Sequence, residues 1–141
     1  QKYSVDPTVC GKFVEVNSNV TAALYGDFMV SYANDVAYAL NNGINVMFYV
    51  GQDDIIVNSA NAQNWIGNMT WKGQQAFYNA PMQPWIMNNG STVGLAKQAS
   101  NLTYVIVDKA GHIAPMQQIE ATTEMVKRFI TNNKNWTAPI N

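Results

Sequence analysis

A chain of 141 residues, 48% of them apolar and 11% aromatic, has material for the core of one compact domain and does not read as a disordered segment. Only 12% of residues are charged, the net charge is -1, and the lysines and arginines form no cluster, which sets aside nucleic acid and anionic membrane surfaces as partners. No apolar run approaches the ~20 residues that cross a bilayer, and the opening QKYSVDPTVC lacks the charged-then-apolar order of a secretion signal.

A chain that starts at Gln1 without an initiating Met reads as a processed piece of a longer precursor. Its single cysteine, Cys10, forms no internal bridge, and one cysteine with one histidine cannot build a zinc site of three or four protein ligands. Neither a metal nor a cofactor is therefore expected. Cys10 is left as a free thiol or as a bridge to another chain. Five N-glycan acceptor sequons begin at Asn19, Asn68, Asn89, Asn101 and Asn135, more than composition alone supplies, and they point to the oxidising secretory route.

Residues 1–27, with turn formers at Asp6-Pro7, Gly11 and Gly26, read as an N-terminal arm. From Phe28 the spacing of Met29, Val30, Ala33, Val36, Ala37 and Leu40 predicts an amphipathic helix that Asn42-Gly43 terminates. Ile44 to Val50 is a nearly continuous apolar run and predicts a strand buried on both faces, as in a parallel sheet. SANAQNWIGN, residues 59–68, predicts a short helix with Ser59 as N-cap. The Trp-, Tyr-, Gly- and Pro-rich stretch from Thr70 to Gly94 reads as an irregular surface excursion with room for a hairpin. Leu102 to Val107 predicts a second buried strand, and Gln117 to Thr131 a helix that buries Ile119, Thr122, Val126, Phe129 and Ile130. This alternation predicts an α/β domain with a parallel sheet.

In such sheets functional groups gather beyond the carboxyl ends of the strands. Asp54 follows the first buried strand and the sole histidine, His112, follows the second. If those strands are neighbours, the carboxylate can hold one ring nitrogen while the other takes a proton from a nucleophile. The nucleophile is missing. No G-x-S-x-G elbow occurs, and Gly90-Ser91-Thr92-Val93-Gly94 has its serine in the wrong place. Because α/β-hydrolases run serine, then acid, then histidine, a C-terminal piece of one should show this pattern.

The string Tyr49-Val50-Gly51-Gln52-Asp53-Asp54-Ile55-Ile56-Val57 resembles the segment around the catalytic aspartate of serine carboxypeptidases, particularly the vitellogenic-like branch. Lys109-Ala110-Gly111-His112-Ile113-Ala114-Pro115 is similar to that family's signature around its catalytic histidine, and Thr70 to Gln74, Ala80-Pro81, Pro84-Trp85 and Met125 to Ile130 resemble further stretches. The resemblance implies the α/β-hydrolase fold, with residues 28–141 forming the C-terminal part of a mostly parallel sheet with flanking helices, completed by another chain. It implies Asp54 and His112 as triad acid and base, with Asp53 at a variable position. The partner is then a larger N-terminal chain of the same precursor, which carries the nucleophilic serine and is joined through an interchain disulfide at Cys10. Peptides are the implied substrates, a homodimer of the two-chain unit is a further implied arrangement, and the implied address is the lysosome, the vacuole or secretion.

The chain departs from the family pattern at Val57 and Ile113, substrate-pocket positions where the family often has Cys and Met. Gln117-Gln118-Ile119 stands where the family has Asp-Gln-Pro, which predicts an altered entry to the last helix. Taken alone, a histidine after an apolar strand reads as structural; the Asp54 segment and the family register turn that reading to a triad position. Asp53 reads as a solvated turn residue. Aromatics under a long loop such as 70–85 commonly form its own small core. A non-catalytic carboxypeptidase-like binding protein is the second reading. A free-standing flavodoxin-like domain is the third, and it is disfavoured by having only two clear strands.

Overall fold

The computed structural model describes residues 16–139, which fall into two units, one reaching to Ser31 and one running from Tyr32. Cys10 lies outside the described residues. In the first unit, Asn17 caps helix α1 (Ser18–Leu24), its side-chain oxygen accepting from the amides of Asn19 and Val20 at 3.0 and 3.4 Å. A 3-10 turn, Tyr25–Asp27, follows, and neither element buries a residue.

The second unit opens with helix α2 (Ala33–Asn41). It starts five residues later than the periodicity predicts: Phe28, Met29 and Val30 are exposed, and the Val30 amide closes a turn on the Asp27 carbonyl instead. Gly43, at φ +80°, supplies the left-handed stop, and β1 (Val46–Gly51) leads from it. Helix α3 (Ser59–Asn68) is capped by Asn58 rather than Ser59, because the Asn58 side chain accepts from the Asn61 amide at 2.9 Å. Helix α4 (Gln74–Asn79), β2 (Gln83–Ile86), β3 (Thr92–Ala99) and β4 (Leu102–Val107) complete a four-stranded sheet. Short helix α5 (Ala114–Gln117) and α6 (Ile119–Ile130) end it.

The sheet order is β1-β4-β3-β2, with β1 and β4 parallel and the other two pairings antiparallel. The excursion expected over residues 70–94 thus contains a helix and a true hairpin, and the described sheet has four strands where the sequence shows two. Strand β2 carries Pro84, which an edge strand tolerates. Strand β3 is poor in β-branched residues, and Gly94 in it is dictated by packing: a Cβ there would strike the Ile106 carbonyl oxygen.

Every residue of β4 is buried. Leu102, Tyr104 and Ile106 join one core with Leu40, Ile66 and Trp71, whereas Val105 and Val107 join a second with Trp85, Met125 and Trp136. A strand sandwiched this way has no polar face, hence its unbroken apolar run. Strand β1 has only β4 beside it among the described residues, so Val46 to Phe48 are half-buried and Tyr49 is exposed.

Helix α6 buries Ala121, Thr122, Met125 and Arg128, while Ile119, Val126 and Ile130 are exposed, so the predicted face is rotated. The deciding residue is Arg128. Its guanidinium donates to the Glu124 carboxylate at 2.6 Å, to the Ile86 carbonyl at 2.7 Å and to the Asn135 carbonyl, and it lies over the Trp136 ring. A buried arginine survives only when so fully paired, and this pairing rotates the helix onto the sheet.

Candidate active site

The parallel register sets Gly51 opposite Val107, so β1 and β4 end together. The loops beyond them are laced by backbone bonds: the Gln52 amide donates to the Val107 carbonyl and the Asp53 amide to the Ala110 carbonyl, each at 2.8 Å. Residue 51 must be glycine for this close approach, because a Cβ would overlap the carbonyl oxygens of both Ala110 and Gly111. Lys109, at φ +55°, turns the second loop back toward the first, and its amide donates to Gln52 Oε1 at 3.4 Å.

These loops bring Asp54 Oδ2 to 3.0 Å from His112 Nδ1, across 58 positions of sequence. The other carboxylate oxygen, Oδ1, accepts from the backbone N–H groups of Ile56 at 2.8 Å and Val57 at 3.0 Å. Asp54 is buried, whereas the His112 side chain is half-exposed. The Val57 N–H is the largest influence in lowering the Asp54 pKa below its ordinary value; burial opposes it, and the His112 hydrogen bond, the Ile56 N–H and the imidazole's charge assist. An ionised acceptor assigns the proton of neutral His112 to Nδ1. Nε2 then carries a lone pair and has no hydrogen-bond partner among the described residues.

Asp53 points its carboxylate at no donor among the described residues and is exposed. Val57 and Ile113 are exposed at 48% and 53%, next to the pair in the chain, and Ile55, Ile56 and Met116 are exposed as well. Apolar side chains thus flank a polar pair. Among the described residues no three His, Cys, Asp or Glu side chains gather to hold a metal.

Two glutamines that sequence reasoning did not single out as functional brace the histidine turn. Gln117 Oε1 accepts from the Gly111 amide at 2.5 Å, and Gln118 Nε2 donates to the Lys109 carbonyl at 3.1 Å. Their one sequence signal is the departure from Asp-Gln-Pro. Without that proline, Gln118 still breaks α5 from α6, at φ -132° and ψ 62°.

A sheet flanked by helices, with an acid–imidazole pair beyond its parallel strand ends, defines the C-terminal part of an α/β hydrolase. The serine carboxypeptidase family model matches residues 4–132, and the chain belongs to that family. It is 33% identical over 118 residues to serine carboxypeptidase 3 of Oryza sativa subsp. japonica, covering 84% of this chain and 23% of the relative. It is 38% identical over 119 residues to carboxypeptidase Y of Komagataella phaffii, covering 84% and 22% respectively. The fold matches a prohormone-processing carboxypeptidase from Saccharomyces cerevisiae with a TM-score of 0.74 at 22% identity, over 89% of this chain and 28% of that one. The chain therefore spans about a quarter of the length of these proteins.

Proposed function

We propose that this chain contributes the acid and base of a Ser-His-Asp triad to a serine carboxypeptidase that releases C-terminal residues from peptides. The observation that carries the reading is the 3.0 Å contact between Asp54 and His112 at the carboxyl edge of two parallel strands, with the opposite ring nitrogen unengaged among the described residues. The nucleophilic serine belongs to the remaining three quarters of the protein, on a partner chain of the same precursor that Cys10 joins by a disulfide.

In the cycle the serine hydroxyl attacks the scissile carbonyl and His112 Nε2 accepts its proton. The Asp54 carboxylate stabilises the imidazolium and holds it in orientation. His112 then protonates the leaving amino acid, and water repeats the sequence on the acyl-enzyme. Val57 and Ile113 present apolar surface to the substrate. The lowered pKa of Asp54 keeps it ionised in acidic surroundings, which suits a lysosomal or vacuolar address or secretion.

His112→Ala in the full precursor should abolish peptide turnover and leave the thermal unfolding midpoint within a few degrees of the parent. Unchanged turnover would overturn the assignment. Intact mass with and without reductant, then sequencing of the released partner, tests the two-chain arrangement. A partner without a serine elbow establishes a non-catalytic binding protein instead.

A further inference from the structure

The five sequons are equivalent in sequence, but their carboxamides are not equivalent in the fold. Asn101 sits between β3 and β4, half-buried, and its Nδ2 donates to the Leu40 carbonyl at 2.9 Å and to the Ile44 carbonyl at 2.6 Å. Both amide protons are therefore spent, one on the Leu40 carbonyl in the last turn of α2, which also accepts from the Gly43 amide at 3.1 Å, and one on the Ile44 carbonyl at the entry to β1. Its own carbonyl accepts from the Val46 amide at 2.9 Å, so Asn101 ties α2, β1 and β4 together. The hydroxyl residue of the same sequon, Thr103, is 2% exposed within β4.

Asn89 and Asn135 are the opposite case. Asn89 is exposed at the tip of the β2–β3 hairpin, where its Oδ1 accepts from the Ser91 amide at 2.9 Å. Asn135 is exposed beyond α6, and its Oδ1 accepts from both the Thr137 amide and hydroxyl at 3.1 Å. In each the oxygen is held within the sequon, and Nδ2 makes no hydrogen bond among the described residues. Asn19 and Asn68 lie on helices and stand outside the assignment.

Glycosylation forms a bond from Nδ2 to the anomeric carbon of an oligosaccharide carried on a lipid diphosphate. The carbon–oxygen bond to the diphosphate breaks, the diphosphate leaves with the electron pair, and the amide releases one proton. At Asn101 that exchange removes one of two committed donors and sets a sugar where the α2 and β1 backbones converge. A glycan added there before folding blocks the closure and takes from the Leu40 and Ile44 carbonyls the donors that Asn101 supplies. We propose that Asn89 and Asn135 are glycan-bearing sites and that Asn101 remains unmodified, its carboxamide being a structural cap on α2.

The experiment expresses the full-length precursor behind a cleavable secretion signal in a eukaryotic host, so its outcome is independent of both the native address and the catalytic reading. Glycopeptides are analysed by mass spectrometry after enzymatic deglycosylation in oxygen-18 water. Expected is occupancy of most molecules at Asn89 and Asn135 and of fewer than one in ten at Asn101. Ser91→Ala and Thr137→Ala each remove one glycan; if either variant is not secreted, Asn89→Gln or Asn135→Gln replaces it. Thr103→Val, which keeps the side chain's shape, should leave the glycan mass unchanged. A glycan on Asn101 in secreted, folded protein, or a bare Asn89 or Asn135, overturns the proposal.

Discussion

Asp54 and His112 meet at 3.0 Å because Gly51 and Val107 are register partners and the loops beyond them are bonded to each other. The carboxylate selects the tautomer with the proton on Nδ1, and an amide in its place can present its N–H group there instead. Asp54→Asn is therefore expected to preserve the fold and lower kcat by about four orders of magnitude, the scale known for loss of the orienting acid in serine-protease triads. Steady-state kinetics on the full protein checks this. A loss under tenfold would mean that Asp54 is not the orienting acid.

Gly51 is the point where the acid loop and the histidine loop touch backbone to backbone. Gly51→Ala inserts a methyl group onto two carbonyl oxygens that cannot swing aside like a flexible side chain. Overpacking of this kind costs about 1–3 kcal/mol, and here it also separates the pair. Denaturant unfolding together with kcat measures both effects, and retention of full activity would show that the loops are not coupled through this contact.

Gln117 acts through the turn rather than on substrate, so it is a positioning residue. Gln117→Ala removes the acceptor for the Gly111 amide, the residue before His112, and kcat should fall several-fold with KM nearly unchanged. Gln117→Glu keeps an oxygen at that place and should restore most of the rate, which a general loss of stability would not predict. Equal rates in parent, Ala and Glu proteins would remove the role.

The lowered pKa of Asp54 links folding to protons. Its stabilising contribution is fully present above the unfolded aspartate value of about 3.9 and is lost as pH falls through the lower folded value. The parent should therefore lose stability more steeply than Asp54→Asn as pH falls below about 4. Denaturant melts at a series of pH values between about 2 and 6 give the comparison; parallel curves would show that the carboxylate is not held ionised by Val57, Ile56 and His112.

The acid, the imidazole and the absent serine elbow were legible because each belongs to a short local string, strand β4 because a segment inside a layered sheet lacks a polar face, and strand β1 from its apolar run, although Val46 to Phe48 are only half-buried and Tyr49 is exposed. Tertiary structure decided the rest. Strands β2 and β3 show in the sequence only as room for a hairpin within an irregular stretch, because Pro84, Gly94 and Lys97 are weak strand residues that only their neighbours and an edge position make acceptable. The buried face of α6 differs from the predicted one because periodicity counts apolar side chains, while Arg128 gains burial from Glu124 one turn back on the same helix and from two carbonyls, of Ile86 and Asn135, outside it. The braces at Gln117 and Asn101 are hydrogen bonds set by loop return and strand register. The distance between Asp54 and His112 has the same origin, since one residue of slip along β4 would carry the imidazole loop about 3.3 Å away from its acid.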